Sequence, residues 1–528
     1  MATTQNTTYG FSRLPAELCA GVVKSLSNVD QRRCLSVSRL FRDLARPLVF
    51  SRVIIRVGMW KAEEDDGIFD DDVELMERRV HRNKEKLQYI ARDAQFARMV
   101  KAIHVYAHRE WDFADIGEEP QDNLDITLMI RALEALPHLQ SFRWHGISPA
   151  LTPAVLDALA KTCGPTLIEL RVAAMLNDEE APRYLTQFKN LQALSLAGDM
   201  CNFPHYGNPE PESMVTACIQ HVPLPVLRLS VLADSVWNTP LRVLSGLQEL
   251  SLQQPQSLDK LSVVFQHCSQ LRTLNVLIDN VACKQQFIAV LEAAPAALPH
   301  LTSFKFISCS REAPNINPDL LAAFLKNKQA MRRLDLRFYS PSEDITDYTR
   351  FLDVFASLPQ LEVVGLVLRG ERFTREHLQL LDERLPPGLT ALLLNWEFRS
   401  ADDAVQKEDW ITMLKRRPSL AYLHVLDFME NVLGSVCNLD LCKLLLKDYP
   451  PALELVGYGS CLSTFERNFV TGQAAYGPMW DEETTGFRTV EDFGCEDWEW
   501  LLRNHDWNSL HSLEPYDYFR ECWRHIHC

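Results

Sequence analysis

A short apolar pattern recurs along most of the chain. Its unit is an apolar anchor followed by apolar residues three and five positions later, as in Leu191, Leu194 and Leu196. Alternation of this kind is typical of a strand with one buried face, so each copy predicts one short strand. Clear copies begin at Leu247, Leu271, Leu301, Met331, Leu389 and Leu420, and weaker copies begin at Val100, Leu139, Leu167, Leu224, Leu361 and Leu453.

The segments between these strands carry a helical pattern. Apolar residues lie three or four positions apart, for example at Leu258, Leu261 and Phe265. From Leu247 onward the strand anchors are 24, 30, 30, 30, 28, 31 and 33 residues apart. One strand and one helix per unit predict an α/β solenoid with a parallel sheet on its concave side, over residues 96–462, because each unit buries its apolar side only against its neighbours.

The first fifty residues follow a different, purely helical pattern. Leu14-Pro15 suits the start of a helix, and Leu18, Val22 and Leu26 then form one apolar face at a spacing of four. A segment of this length buries too little surface to be stable alone. We therefore expect its apolar face to contact either the rest of the chain or another molecule.

Residues 11–50 resemble the F-box. The resemblance rests on Leu14-Pro15-x-Glu17-Leu18, Asp30, Val37-Ser38-Arg39-x-Phe41-Arg42 and Leu44-Ala45-x-Pro47, and the continuation Leu48-Val49-Phe50 with Val53-Ile54-Ile55 is similar to fungal F-box proteins in particular. F-boxes are helical modules that bind a Skp-type adaptor, which a cullin–RING ubiquitin ligase holds in turn. Carried over by position, the resemblance implies an adaptor-binding set of Leu14, Pro15, Leu18, Val22, Leu26, Val37 and Phe41. The alternative is a helical cap that shields the first repeat.

The repeats resemble the degenerate leucine-rich repeats that accompany F-boxes in substrate receptors. Strand side chains that alternate with the buried positions should point to the concave face. Several of these are basic and predict a surface that binds an acidic or phosphorylated segment of a protein target. The predicted target-binding residues are His104, Arg143, Arg171, Arg228, Lys305 and Arg337. An ordinary solvated surface is the alternative.

Three further segments complete the predicted organisation. Residues 1–10 are expected to be disordered, and residues 51–95 are expected to be a linker with an acidic loop and a helix. Residues 463–528 are rich in aromatic side chains, which predicts a cap that closes the end of the array, with a partner-binding surface as the alternative. The terminal group Cys522, His525, His527 and Cys528 is not predicted to bind metal, since one short segment rarely supplies four tetrahedral ligands.

Composition narrows the function classes. The formal net charge is −16, which argues against a nucleic-acid or anionic membrane surface. The chain has no apolar run long enough to span a bilayer and no secretory signal pattern. Its 14 cysteines lack a disulfide-type spacing, which favours reduced thiols in a cytoplasmic or nuclear protein. No phosphate-binding glycine loop, zinc-protease or serine-hydrolase motif occurs, so no catalytic residue and no cofactor are predicted.

The sequence thus predicts a non-catalytic substrate-recognition subunit of a ubiquitin ligase. Residues 11–50 would bind the adaptor and the array would hold the target, so that the chain contributes placement while other subunits perform the transfer. The alternative is a leucine-rich-repeat interaction scaffold with no role in ubiquitination.

Overall fold

The chain forms three helices followed by one long sheet with helices beside it. The computed structural model describes residues 14–26, 28–57, 70–107, 124–145, 149, 151–172, 181–196, 220, 226–232, 236–253, 255, 257–278, 280–308, 317–338, 352–401, 405–427, 439–458, 461–468, 470–480 and 495–502. The predicted disordered N-terminus, most of the predicted acidic loop, and the terminal cysteine and histidine group lie outside these residues.

All strands of the described residues belong to one sheet, and their order in the sheet is their order in the sequence. Neighbouring strands from β1 to β14 are parallel, whereas β15 and β16 are antiparallel to their neighbours. The strands are β1 Arg52–Arg56, β2 Ala102–Tyr106, β3 Ser141–His145, β4 Glu169–Val172, β5 Ala193–Ser195, β6 Arg228–Leu232, β7 Glu249–Gln253, β8 Thr273–Ile278, β9 Ser303–Ser308, β10 Arg333–Phe338, β11 Val363–Phe373, β12 Ala391–Ala401, β13 Tyr422–Asp427, β14 Leu455–Tyr458, β15 Cys461–Arg467 and β16 Ala474–Trp480.

The helices of the described residues precede the sheet, connect most of its strands and follow it. They are α1 Ala16–Ser25, α2 Asn28–Val37, α3 Arg39–Val49, α4 Asp70–Arg92, α5 Ala94–Ala97, α6 Ile126–Glu134, α7 Pro153–Cys163, α8 Ala181–Leu185, α9 Leu241–Leu244, α10 Leu261–His267, α11 Val281–Ala293, α12 Pro318–Leu325, α13 Arg375–Arg384, α14 Lys407–Lys415, α15 Leu439–Leu445 and α16 Glu496–Leu502, with a 3-10 helix at Phe355–Ser357. Side-chain caps start several of them: the Asn280 side chain accepts a hydrogen bond from the Cys283 amide at 2.7 Å, and the Asp125 side chain accepts one from the Leu128 amide at 2.9 Å.

The repeated apolar pattern forms the core. Leu191, Leu194 and Leu196 are buried, and the corresponding residues of the other repeats join them in one continuous cluster between the sheet and its helices. Strand alternation sends the residues between them to the opposite, concave face of the sheet. The predicted α/β solenoid, similar to leucine-rich repeats, with a parallel concave sheet is confirmed.

The array begins earlier than the predicted boundary at residue 96. β1 pairs in parallel with β2, and its Val53 and Ile55 are buried in the same core as Leu87 and Ile90 of α4. Residues 51–95 therefore include the first strand and helix of the solenoid, although part of this segment lies outside the described residues. In the described part of the chain, no helix is long and apolar enough to cross a membrane.

Candidate interaction surfaces

The N-terminal three-helix module has a small core of its own. Val23, Cys34 and Ala45 are its buried centre, and each comes from a different helix of the module. Ser38 starts α3 by accepting a hydrogen bond from the Phe41 amide at 3.2 Å. Phe50 follows α3 and packs against Phe96 at 5.6 Å between ring centroids, which attaches the module to the first repeat.

The same module leaves large apolar side chains exposed. We call these residues the exposed apolar set: Leu14, Leu18, Val22, Val37 and Leu40, with exposed fractions of 42%, 57%, 41%, 65% and 41%. A concentration of exposed apolar side chains on so small a module is typical of a protein–protein interface.

Most of the predicted adaptor-binding residues belong to this set. Pro15 is also exposed, and its carbonyl accepts hydrogen bonds from the first turn of α1. Leu26 and Phe41 are only partly exposed, because they pack against the small core of the module. Leu40 was missed by the sequence reasoning, which followed the spacing around Phe41; its position next to Phe41 at the start of α3 was the available signal.

Strand register aligns one concave residue from each repeat into a row across the sheet. We call this the middle row, and it runs His104, Arg143, Arg171, Ser195, Ser230, Ser251, Asn275, Lys305, Asp335, Gly365, Leu393, His424 and Gly457. The row changes character along the array. It runs from one histidine and two arginines to small polar residues, then to the charged pair Lys305 and Asp335, and then to glycine, leucine and histidine.

Arg228 is not in the middle row, contrary to the register implied by an anchor at Leu224. It pairs with Ala193 and Glu249, whereas its neighbour Ser230 takes the middle position. The strand anchor is Val226, and the shift of two residues leaves Arg228 on the concave face because strand alternation has a period of two. Arg228 is exposed and lies beside Glu249. Burial raises the pKa of Glu249, and the Arg228 charge opposes this shift only in part.

The structure corrects the prediction that His104 contributes a positive charge to the concave face. His104 is buried, and burial together with the Arg143 and Arg52 charges holds its pKa well below the ordinary value. The imidazole is therefore neutral at pH 7. Its Nδ1 lies 3.5 Å from the Tyr106 hydroxyl, and the Tyr106 ring stacks on His145 with centroids 5.2 Å apart. This end of the concave face is aromatic and polar rather than basic.

Arg143 and Arg171 share one carboxylate. Glu169 accepts hydrogen bonds from Arg143 Nη2 at 3.1 Å, Arg171 Nε at 2.6 Å and the Ser141 hydroxyl at 2.7 Å. Burial alone would raise the pKa of Glu169, but these arginines and the hydroxyl hold it well below the usual range. The cluster of two guanidinium groups and one carboxylate thus carries a net charge of about +1, and the carboxylate fixes the positions of the two arginines.

The other predicted cations lie at a different kind of site. Lys305 is buried, its ammonium lies 3.1 Å from the Asp335 carboxylate, and burial lowers its pKa to about 7. Arg337 donates two hydrogen bonds to the same carboxylate, at 3.0 and 2.9 Å. Neither side chain stands free on the concave surface, because both neutralise the buried Asp335. For Lys305 and Arg337 the predicted exposed basic column is corrected.

Helix α16 covers this part of the concave face. The Lys305 ammonium donates hydrogen bonds to the Trp500 and Leu501 carbonyls and lies 4.6 Å from the centre of the Trp500 ring. A cation at this position satisfies carbonyls that a helix C-terminus leaves without intrahelical partners. The Trp500 indole donates to Asn275 Oδ1 at 3.2 Å, while the Asn275 amide group donates to Ser251 at 2.9 Å.

The first turn of α16 is held by arginines. Asp497 accepts two hydrogen bonds from Arg332, each at 2.7 Å, and lies 2.7 Å from Arg333 Nε. Glu496 lies 3.0 Å from Arg333 Nη2. Paired guanidinium–carboxylate contacts of this type fix orientation as well as adding attraction.

A second hydrophobic cluster lies under α16, on the concave side of the sheet. Trp498, Leu501 and Leu502 of the helix are buried against it, and Trp498 and Tyr422 have ring centroids 6.0 Å apart. The sheet residues of this cluster are Val363, Ala391, Leu393, Tyr422, Leu455 and Leu462, together with Trp480. Its apolar concave positions, including Leu393 in the middle row, were the sequence signal that something covers this face.

The described part of the predicted C-terminal cap thus has two locations. β15 and β16 extend the sheet beyond the last parallel strand, whereas α16 lies back on strands β8–β13. In the described residues, no group of three or more histidine, cysteine or acidic side chains could hold a metal ion.

Comparison with known proteins adds solved structures of low similarity. No family model matches the chain, and no curated protein matches it. Similar solved structures include the leucine-rich repeat-containing protein LegL7 from Legionella pneumophila, with 14% identity and a TM-score of 0.32 over 57% of this chain and 87% of that one. A complex of Rad7 and Elc1 in yeast shows 14% identity and a TM-score of 0.32 over 78% and 97%, and a TLR13–ssRNA13 complex shows 14% and 0.27 over 64% and 52%. At these values the likenesses carry no argument about function.

Proposed function

We propose that this chain is the substrate-recognition subunit of a Skp/cullin/F-box type ubiquitin ligase in the cytoplasm or nucleus. The N-terminal module docks on a Skp-type adaptor and, through it, on a cullin–RING ligase. The array holds a protein target. The chain itself is non-catalytic and needs no cofactor, because its contribution is to place the target near the transfer machinery of other subunits.

The exposed apolar set carries this proposal. Leu18 and Val37 are the most exposed of its members, although both lie in helices whose other faces supply the module's core. Burying apolar side chains of this size stabilises a complex by roughly 1.5–3 kcal/mol each. All of its members except Leu40 also fall on the residues that resemble the adaptor-facing positions of an F-box, so chemistry and resemblance point to one partner.

The second candidate is an interaction scaffold with no ubiquitin role, in which the module only caps the array. The contact between Phe50 and Phe96 favours a capping role, since it attaches the module to the first repeat. That contact lies away from Leu18 and Val37 in the sequence, and the two roles are compatible.

A co-purification experiment separates the candidates. The full chain is expressed in its native cells with Leu18→Glu and Val37→Glu together, and the bound Skp-type adaptor and cullin are quantified. We expect both to be lost, because two carboxylates cannot be buried unpaired in an apolar interface. The matched control is Lys24→Glu, which introduces the same side chain at another exposed position of α1. Adaptor retained by the double variant, or absent from the unaltered chain, would refute the proposal.

A further inference from the structure

Helix α16 occupies the concave face in the way that a bound peptide occupies a receptor. It consists of seven residues, Glu-Asp-Trp-Glu-Trp-Leu-Leu, and lies far along the chain from the strands that it contacts. Isolated helices of this length are unstable in water, so its conformation depends on the surface beneath it. The contacts of α16 therefore show which types of residue this surface binds.

The selected chemistry has an acidic end and an apolar face. Arg332 and Arg333 bind the carboxylates of the first turn, and Lys305 binds the carbonyls of the last turn. Between these ends, Asn275 accepts the hydrogen bond of a tryptophan indole. A segment without an early acid would leave the nearly buried Arg333 without a carboxylate, and one without a tryptophan would leave the buried Asn275 oxygen without its donor, which is costly in a buried site.

The floor of the site is built for an apolar ligand. Val363, Ala391 and Leu393 occupy concave positions of β11 and β12 and belong to the same buried cluster as Trp498, Leu501 and Leu502 of α16. Earlier repeats carry Arg143, Ser195 and Ser251 at the equivalent middle position of Leu393. Without a covering helix the floor would be a contiguous apolar patch, and such patches mark binding sites.

We propose that the groove over β8–β13 is a docking site for a short amphipathic helix of a partner protein, with acidic residues before a Trp-x-Trp-Leu-Leu-like apolar face, and that α16 is its intramolecular competitor. This inference rests on the proposed function in one respect: the partner would be the target of the ligase. A partner helix reproduces the contacts of α16 and displaces it, so that occupancy by the chain's own helix sets the threshold for binding. Arg143, Arg171 and Arg228 lie on the preceding strands, where they could contact further acidic residues of the partner.

A peptide-binding measurement tests the docking site with the full chain. The probe is a fluorescently labelled synthetic peptide of residues 495–502 with Cys495→Ser. In the released variant, Asp497→Lys and Trp500→Ala together remove the contacts of Asp497 with the two arginines and of Trp500 with Asn275. The contact between Glu496 and Arg333 remains. A tethered competitor acts at an effective concentration of the order of millimolar, so we expect the peptide to bind the released variant at least about tenfold tighter than the unaltered chain. Equal binding to both chains overturns the proposal.

Two controls establish where the peptide binds. Adding Arg332→Gln and Arg333→Gln to the released variant should abolish the gain in affinity, because both guanidinium groups bind the acidic end. A peptide that itself carries Asp497→Lys should not bind the released variant. Binding that survives either change would place the peptide elsewhere and overturn the assignment of the groove.

Hydrogen exchange on the unaltered chain keeps the inference testable if the released variant does not fold. The amides of α16 should exchange through local opening, at a lower free energy than those of β9–β12. Exchange of α16 only through global unfolding would show that the helix is a permanent part of the core. These experiments need no adaptor, so their failure leaves the co-purification result intact, and the reverse also holds.

Discussion

Two apolar faces of this molecule differ in whether the chain itself covers them. In the N-terminal module, Leu14, Leu18 and Val37 remain exposed. On the concave side of the C-terminal repeats, Val363 and Leu393 are equally apolar, but α16 covers them. Composition alone does not distinguish an interface from a core. An apolar face becomes part of the core when a segment of the same chain binds to it through complementary polar and apolar groups.

The ion pairs beside the two faces also differ, because one is buried and the other is exposed. Lys305 and Asp335 form an ion pair that is almost fully buried beside α16, whereas the Arg33–Asp30 pair of the module is exposed. Removing one partner of a buried pair is costly because it leaves an uncompensated charge, while exposed pairs contribute little. The covered face is therefore fixed by its electrostatics, and the open face is not.

The largest expected difference comes from the same substitution on both faces. Leu501→Ala should lower the free energy of unfolding by about 2–5 kcal/mol, or by the whole docking free energy of α16 if that is smaller, because Leu501 is fully buried. Leu18→Ala should change it by no more than about 0.5 kcal/mol, since Leu18 is 57% exposed. Urea unfolding of both variants measures the difference. A loss for Leu18→Ala as large as that for Leu501→Ala would mean that the module's face is buried in solution.

Glycine substitutions should change stability in opposite directions in the two regions. A Cβ on Gly365 would overlap Asp335 Oδ1 and lie 3.0 Å from Leu501, and the Asp335 carboxylate cannot move freely because Lys305 and Arg337 hold it. Gly365→Ala should cost about 1–3 kcal/mol. Gly21 lies inside α1 with nothing within 4 Å of an added Cβ, so Gly21→Ala should stabilise the module's helix by about 1 kcal/mol.

Circular dichroism during thermal unfolding checks both glycine variants. Stabilisation by Gly365→Ala would show that α16 and Asp335 do not pack closely against this strand. Destabilisation by Gly21→Ala would show that α1 contacts a further part of the chain at that position.

Much of the array follows from local sequence. Anchors such as Leu191 and Leu271 are buried as the strand pattern predicts, because a spacing of three and five fixes one face of a strand and the unit length leaves room for one helix. The first strand was assigned to a linker because Val53 and Ile55 stand close to the helical module. The next strand, β2, follows only after α4 and α5, so the short apolar run had no neighbouring repeat to identify it.

Less of the candidate sites than of the array could be predicted from the sequence. Leu224 and Val226 both suit a strand anchor, and only pairing with the neighbouring strands decides between them. The contact between Trp500 and Asn275 joins residues that are far apart in the chain, and no local pattern specifies which surface a helix will cover. Burial of Lys305 and neutralisation of Arg143 by Glu169 likewise depend on tertiary neighbours that the sequence does not display.

The smallest expected effect concerns the N-terminal half of the concave face. Because the pKa of Glu169 is lower in the folded chain than in the unfolded chain, its contribution to stability is present above the unfolded carboxyl pKa of about 4.3 and is lost as the pH falls through the folded pKa. Glu169→Gln should therefore cost about 1–2 kcal/mol at pH 7, where it removes charge-assisted hydrogen bonds from Arg143 and Arg171. The difference from the unaltered chain should narrow below about pH 4, measured by urea unfolding as a function of pH. A difference that stays constant with pH would show that the carboxylate charge does not hold the two arginines, and Arg143 and Arg171 would then present both charges to a partner.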